Sequence, residues 1–439
     1  MTDEPKPRSA SRDAVRTLVF NGAAAVVGIA TGIIVAKTLG PAGKGYFSGL
    51  ALLQSGASSV ISGFGASITY FLSRHKRSAA DLLGPLAVVF AVIAVLQPVL
   101  LLLWGWRFGF TPTIIVFAAS SPATVVVAWQ QGIYLGLDRV TSLNSQVFGF
   151  AVFLLIAVSA ALTLHLGLYG ALWAWAVTTY GAAAVIMLRI ASLLRGKPAW
   201  DFREALRAVT KYASSATAGG VLGFLNYRID SLVLIAFLGA SGFGIYSVAV
   251  SAGEVLFRIP RAVATATTFR VGASDFEESA LTTARSIRTC TAIVVAAALP
   301  LYVLAPRLIQ LFYGPQFAEA SSALRILLPG VVLFVSVGLF SPFFSFQMGR
   351  PIVVVYMSLC MIALQTGLGI WLVPKLHLDG AAIASTATYI ASAVVVTIYF
   401  CRLTKLSWID VWIVGKSDLK TLRRLLPRGR PSARASSGR

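Results

Sequence analysis

Charge is scarce in this chain, and acidic charge scarcer still. Of 439 residues, 12% are charged, with 16 Asp and Glu against 37 Lys and Arg. A soluble domain carries about 25% charged residues. So few charges cannot cover a water-soluble fold of this length. There are only three cysteines, Cys290, Cys360 and Cys401, all within or at the ends of apolar runs, and only three histidines, far apart in sequence. They show neither a metal-ligand spacing nor a paired-loop pattern, so no zinc site or disulfide framework is expected and the cysteines read as reduced core residues. Phosphate loops fail as well. Gly40-Pro41-Ala42-Gly43-Lys44-Gly45 lacks the Ser/Thr after Lys, and Gly415-Lys416-Ser417 has Asp410 where the first glycine is required. With no nucleotide-binding domain there is no sign of ATP drive, and no cofactor is expected.

Apolar length is what the chain has. Hydrophobic residues make up 57% of it. A membrane-crossing helix needs about 20 mostly apolar residues. Twelve segments qualify, near 15–37, 46–72, 82–104, 112–135, 144–165, 167–190, 211–238, 242–270, 286–305, 321–346, 352–373 and 380–402. Glycine and proline punctuate them, at Gly84-Pro85, Gly314-Pro315 and Pro374 among others. The first apolar run is too long for the apolar region of a signal peptide. The expected fold class is all-α: a polytopic membrane protein of about twelve spans.

The formal charge of +21 first brings nucleic acid to mind. Placement excludes it, because the basic residues sit in short segments between apolar runs and are not interleaved with aromatics on one face. With both termini cytoplasmic, inside segments hold 28 Lys and Arg and outside segments 6, and Arg228, Arg258 and Arg261 remain within spans. This asymmetry predicts cytoplasmic termini and supports an even span count.

The chain repeats itself. Leu39-Gly40-Pro41-Ala42-Gly43-Lys44-Gly45-Tyr46-Phe47-Ser48 follows span one, and Leu238-Gly239-Ala240-Ser241-Gly242-Phe243-Gly244-Ile245-Tyr246-Ser247 follows span seven. The shared pattern, L-G-x-x-G-x-G-x-aromatic-S, reads as a tight helical hairpin. Two matched copies six spans apart make the halves parallel repeats. His165-Leu166 before Gly170-Ala171 is echoed by His377-Leu378 before Gly380-Ala381. The expected organisation is a cytoplasmic tail (1–14), a six-helix lobe (15–190), an amphipathic cytoplasmic linker (191–210), a second six-helix lobe (211–404) and a basic amphipathic tail (405–439). The linker, Trp200 to Arg207, reads as a short helix on the membrane surface. The tail has apolar patches at Trp408, Ile409, Trp412 and Ile413 and at Leu422, Leu425 and Leu426. Lys416, Lys420, Arg423 and Arg424 lie between them, so anionic membrane lipids are an expected partner.

With the hairpins, Asp230 late in span seven and Arg258-Ile259-Pro260 in span eight, the chain resembles the polysaccharide transporter branch of the multidrug/oligosaccharidyl-lipid/polysaccharide exporter superfamily. The resemblance runs to about Arg402. It implies two six-helix lobes around a central cavity that opens alternately to either side. It also implies flipping of an undecaprenyl-pyrophosphate-linked oligosaccharide across the bacterial inner membrane for cell-surface polysaccharide synthesis. Polysaccharide-assembly proteins are then further partners.

The residues themselves locate candidate chemistry. Arg228, Asp230, Glu254, Arg258 and Arg261 lie inside spans seven and eight. Each costs roughly 2.5–3.5 kcal/mol at mid-helix, so they must face one another or water. Arg228 and Glu254 lie at matching depth below the hairpin, and Glu254 and Arg258 are one turn apart. Asn226 shares a face with Asp230, and Pro260 predicts a kink near Leu256. Two readings stand. The arginines grip a pyrophosphate, for which guanidinium has the matching fork; or the five charges form a structural ion-pair cluster. Asp230 and Glu254 are either couplers to H⁺ or Na⁺ or ion-pair partners. The first half carries no charge within its spans and offers Asn21 and Gln54 as polar lining. Arg74, Lys76 and Arg77, at the cytoplasmic end of span two, would attract a phosphate headgroup or serve topology alone.

Alternative functions are a cation-coupled drug exporter of the same superfamily and a peptidoglycan lipid-precursor flippase. Against the first, the opening lobe has only Asp81 and Asp138, at span ends. Against the second, Asn21 and Gln54 occupy spans where that branch has arginines. A membrane polymerase or ligase needs a sizeable outer loop. The longest here, near 307–320, is short, so the chain is not expected to be an enzyme.

Overall fold

The computed structural model describes residues 10–73, 77–108, 111–137, 139–191, 200–260, 274–350 and 352–413, with Val263, Ala264, Thr267 and Val271. Among the described residues every regular element is a helix. Three helices are double length and fold back on themselves: Ala10–Ser73 at Gly40, Phe202–Glu254 at Gly239 and Ile352–Thr404 at His377. These supply spans one and two, seven and eight, and eleven and twelve. Ala79–Phe108, Thr111–Gly136, Val140–Thr163, Gly167–Ala191, Phe276–Tyr313 and Glu319–Val337 supply the other six. The twelve-span, all-α fold is therefore the one expected.

Local chemistry explains the reversals. Gly40 has φ 67 and ψ −170, and Gly239 has φ 61 and ψ −156. That region of backbone space is essentially glycine's alone. At Gly40, Pro41 then starts the next helix, where its missing N–H would be unpaired in any case. The histidine echo also has a backbone meaning. His165 (φ 56) and His377 (φ 52) both take left-handed φ, each between the fifth and sixth span of its half. Histidine is one of the few side chains enriched there. Beside Pro260 the α-helix gives way to a single 3₁₀ turn at Val255–Phe257, where the kink was expected. Span ten stops at Val337 and is followed by a π-type turn at Phe343–Gln347, so it is shorter than its apolar run.

Contacts gather the chain into two compact bodies. The first runs to Gly253 and includes Leu304–Leu327 and Ser358–Thr386. Its core joins spans one, two, four, five and six through Val35, Phe47, Leu50, Phe117, Val158, Leu172 and Trp175. Span two packs on span seven along its length: Thr217 Oγ1 donates to the Val60 carbonyl at 3.0 Å, and the Tyr70 and Tyr212 rings stack at 4.6 Å. The second body holds Glu254–Val303, Leu328–Met357 and the chain from Ala387. Phe340, Phe343, Phe344 and Phe400 are all fully buried there.

The linker and tail differ from expectation. The helix expected to lie on the membrane over 191–210 begins at Phe202 and continues unbroken into span seven, with 192–199 outside the described residues. Its apolar face is occupied by protein. Ala205 and Val209 are fully buried, and Val209 packs with Ile68, Phe71 and Leu82. In the tail, a capping box of Ser407 and Asp410 starts the short helix Trp408–Trp412. Val411 is buried, Trp412 Nε1 donates to Thr397 Oγ1 at 3.2 Å, and the Arg288 guanidinium donates to the Asp410 carbonyl. Trp408, Ile409 and Ile413 stay exposed, which leaves an apolar face uncovered. Lys416, Lys420, Arg423 and Arg424 lie outside the described residues.

Candidate functional site

The two repeated hairpins meet. A Cβ built on Gly45 would lie 1.8 Å from the Ala240 carbonyl oxygen, and one on Gly244 would lie 1.9 Å from that of Pro41. Adding 199 to Gly45 gives Gly244, and adding it to Pro41 gives Ala240, so each contact is the repeat-mate of the other. The closing serines meet as well, with Ser48 Oγ 3.1 Å from Ser247 Oγ. Backbones approach this closely in membrane proteins only where side chains are absent. Lys44, buried, donates from Nζ to Ser48 Oγ at 2.9 Å. Gln316, after span nine, covers the end of span one by donating to the Ala36 carbonyl at 3.3 Å.

Below this contact lies a buried polar cluster drawn from four spans. Asp230 Oδ1 accepts from the Ser231 backbone N–H at 2.6 Å, and Oδ2 accepts from the Tyr246 hydroxyl at 2.9 Å. The Tyr246 hydroxyl lies 3.3 Å from Ser385 Oγ, which accepts from Gln365 Nε2 at 2.8 Å. Asp230, Tyr246, Gln365 and Ser385 are each at least nine-tenths buried. Gln365 Oε1 is buried without a partner. Hydrogen bonds to a carboxylate offset part of its desolvation, which is how a charge is kept inside a bilayer. Arg228, two residues earlier, adds charge attraction. Such a set of oxygens can take up a proton or a hard monovalent cation. Among the described residues there is no group of three His, Cys, Asp or Glu fit to hold a metal.

The other expected residues fall as follows. Arg228 and Asn226 are half-buried on span seven, and Asn226 Oδ1 is buried without a partner. Glu254, half-buried, and Arg258, exposed, belong to the second body, whereas Arg228 and Asp230 belong to the first. Arg261, Arg74 and Lys76 lie outside the described residues. Gln54 bridges spans two and four, accepting from Thr124 Oγ1 at 3.2 Å. Asn21 is exposed. Arg77 places its guanidinium 4.6 Å from the Trp200 ring centroid. The Trp200 backbone N–H donates to Asp81 Oδ1 at 3.1 Å, and Phe71 packs 5.2 Å from the Trp200 ring. Arg77 and Asp81 thus fasten the start of the second half to spans two and three.

Sequence reasoning missed Tyr246, Gln365 and Ser385 as partners of Asp230, and the burial of Lys44. One signal was present. Tyr246 is the aromatic of the repeated hairpin pattern, and the serines that close the pattern are the pair that bond.

Comparison with known proteins agrees with the fold. A family described as polysaccharide biosynthesis protein matches residues 138–322, from the end of span four into span ten. No curated protein matches the chain. Among solved structures, the lipid II flippase MurJ in an inward closed conformation superposes with a TM-score of 0.73 at 14% identity, covering 92% of this chain and 92% of that one. An inward-facing multidrug resistance MATE family transporter of the MOP superfamily gives 0.72 at 16% identity, covering 89% and 98%. A MOP superfamily transporter from Pyrococcus furiosus, whose binding pocket is described as of reverse polarity, gives 0.64 at 16% identity, covering 90% and 95%. The chain has the fold of these transporters and flippases, and the family match agrees with its resemblance to the polysaccharide branch.

Proposed function

We propose that the chain moves an undecaprenyl-pyrophosphate-linked oligosaccharide across the bacterial cytoplasmic membrane by alternating access, with both termini cytoplasmic. One observation carries the reading. The stretch matched by the polysaccharide biosynthesis family, residues 138–322, contains all five charges set in spans seven and eight: Arg228, Asp230, Glu254, Arg258 and Arg261. Arg228, Arg258 and Arg261 are assigned to the pyrophosphate, which a guanidinium grips through two parallel hydrogen bonds. Asp230, with Tyr246, Ser385 and Gln365 around it, and Glu254 are assigned to proton or cation coupling or to ion pairing. Asn21, Gln54 and Asn226 line the sugar path, and Arg74, Lys76 and Arg77 attract the headgroup on the cytoplasmic side. The lobes are taken as 15–190 and 211–404.

The test is a reconstituted flipping assay with a lipid-linked oligosaccharide. Flipping that falls at least tenfold in Arg228→Ala is expected. Drug efflux without flipping of a matched substrate overturns the proposal in favour of a cation-coupled drug exporter, the reading that the buried Asp230 cluster favours. Flipping of lipid II alone would favour a peptidoglycan precursor flippase.

A further inference from the structure

In the first body, spans two, three, four and seven enclose a cavity of about 390 Å³. Its walls are apolar: Leu53, Val60, Leu96, Phe117, Phe224 and Leu232 are among them. Two polar side chains reach it, and one is already engaged, since Thr113 Oγ1 donates to the Tyr46 carbonyl at 2.8 Å. The other, Gln97, keeps a buried Nε2 without a partner. Gly56 and Ala57 make a low floor on span two, with the Phe224 ring 3.2 Å from where a Gly56 Cβ would stand. The rim is open. Val60 is 42% exposed and Leu96 54%, beside Val92, Val95 and Val99, all exposed on span three. That surface is apolar and of the kind a bilayer covers. Water gains too few partners in such a space to fill it.

Span seven supplies the second observation. Phe224, Leu232 and Ile235 line the cavity. They recur at helical spacing on one stripe, and Arg228 is the residue four after Phe224 and four before Leu232. The intramembrane arginine is therefore about 6 Å along the helix from lining residues on either side. A ligand suited to this arrangement has a single long hydrocarbon chain joined to an anionic phosphate head.

We infer that this groove holds the polyisoprenyl chain of a polyisoprenyl phosphate-linked lipid, with Arg228 receiving its phosphate. The chain is that of the cargo proposed above, and to that extent the inference rests on that reading. Span seven then grips the lipid twice: Phe224 and Leu232 contact the tail, and Arg228 contacts the head. The groove selects one flexible branched chain, whereas a phospholipid brings two chains that must both be placed.

The probe is undecaprenyl phosphate, without any glycan, bearing a photoreactive group on its isoprenoid chain. It is presented to the full-length protein in phosphatidylglycerol-containing nanodiscs. Label is expected on peptides carrying Gly49–Val60 and Ile93–Gln97. Unlabelled undecaprenyl phosphate should compete it away, and a tenfold excess of phosphatidylglycerol should not. Val60→Trp with Leu96→Trp fills the mouth from two exposed positions and should cut labelling at least tenfold at unchanged melting temperature. Leu96→Trp alone, the milder variant, should cut it about threefold. Equal competition by phosphatidylglycerol would show an ordinary annular lipid and overturn the inference. So would undiminished labelling in the filled variants, or label confined to other spans. The two readings fail separately. Labelling of the groove without any flipping of lipid-linked oligosaccharide removes the cargo and keeps the groove. Normal flipping by the filled variant keeps the cargo and removes the groove.

Discussion

The two repeated hairpins share a backbone and differ in what they bury. Both turn at a glycine in a region other residues avoid, both bring a second glycine against the partner's carbonyl, and both end on a serine that meets its counterpart. At the position between those glycines the first hairpin places Lys44 and the second Phe243, 199 residues apart and both buried. The backbone frame is thus common to the halves, while the side chain at matched positions is free to diverge. The same divergence runs down the spans. The first half bridges spans two and four with Gln54 and Thr124, whereas the second carries Asp230 bonded to Tyr246. Symmetry holds where backbones touch, and chemistry separates the halves elsewhere.

The strongest challenge to the shared frame is a side chain at the crossing. Gly45→Leu and Gly244→Leu should each cost at least about 3 kcal/mol, since the new Cβ meets a backbone oxygen that no rotamer can move aside. Thermal unfolding in detergent should show equal losses. A loss in one and not the other would break the reciprocity. Next, Phe243→Ala should cost about 2–3 kcal/mol, because packing is lost in lipid with little transfer from water to add to it. The smallest effect is expected at its mate. Lys44→Met should change stability by less than about 1 kcal/mol, as an apolar chain of similar length replaces a buried amine and Ser48 keeps Ser247 as a partner. A large loss in Lys44→Met would show that the amine is a required part of the contact and sharpen the contrast with Phe243.

Much of the fold was legible because its signals are local. Apolar length gave the spans, the hairpin glycines gave their reversals, and Pro260 gave the turn at Val255–Phe257. The histidine echo was visible as a pattern, but its cause, left-handed backbone at His165 and His377, belongs to dihedral angles that sequence does not display. The linker was misplaced for a clear reason. An amphipathic stretch has the same periodicity whether its apolar face meets lipid or protein, and Val209 meets Ile68 and Phe71. The candidate site was legible in its charges and not in its partners. Arg228 and Asp230 stand out in an apolar span because each is costly there. Ser385 and Gln365 are unremarkable residues in spans eleven and twelve, more than 130 positions from Asp230.

By itself, the sequence determined that this is a twelve-span, all-helical membrane protein with a repeated glycine hairpin and with five charges set in spans seven and eight. Those properties depend on hydropathy, glycine and spacing, which act over one helix or one turn. Only the tertiary structure decided that the hairpins cross at Gly45 and Gly244, that Asp230 is held by Tyr246 within reach of Ser385, and that spans two, three, four and seven leave an apolar groove. These rest on contacts between residues far apart in the chain, and no local pattern specifies which of several apolar faces will meet.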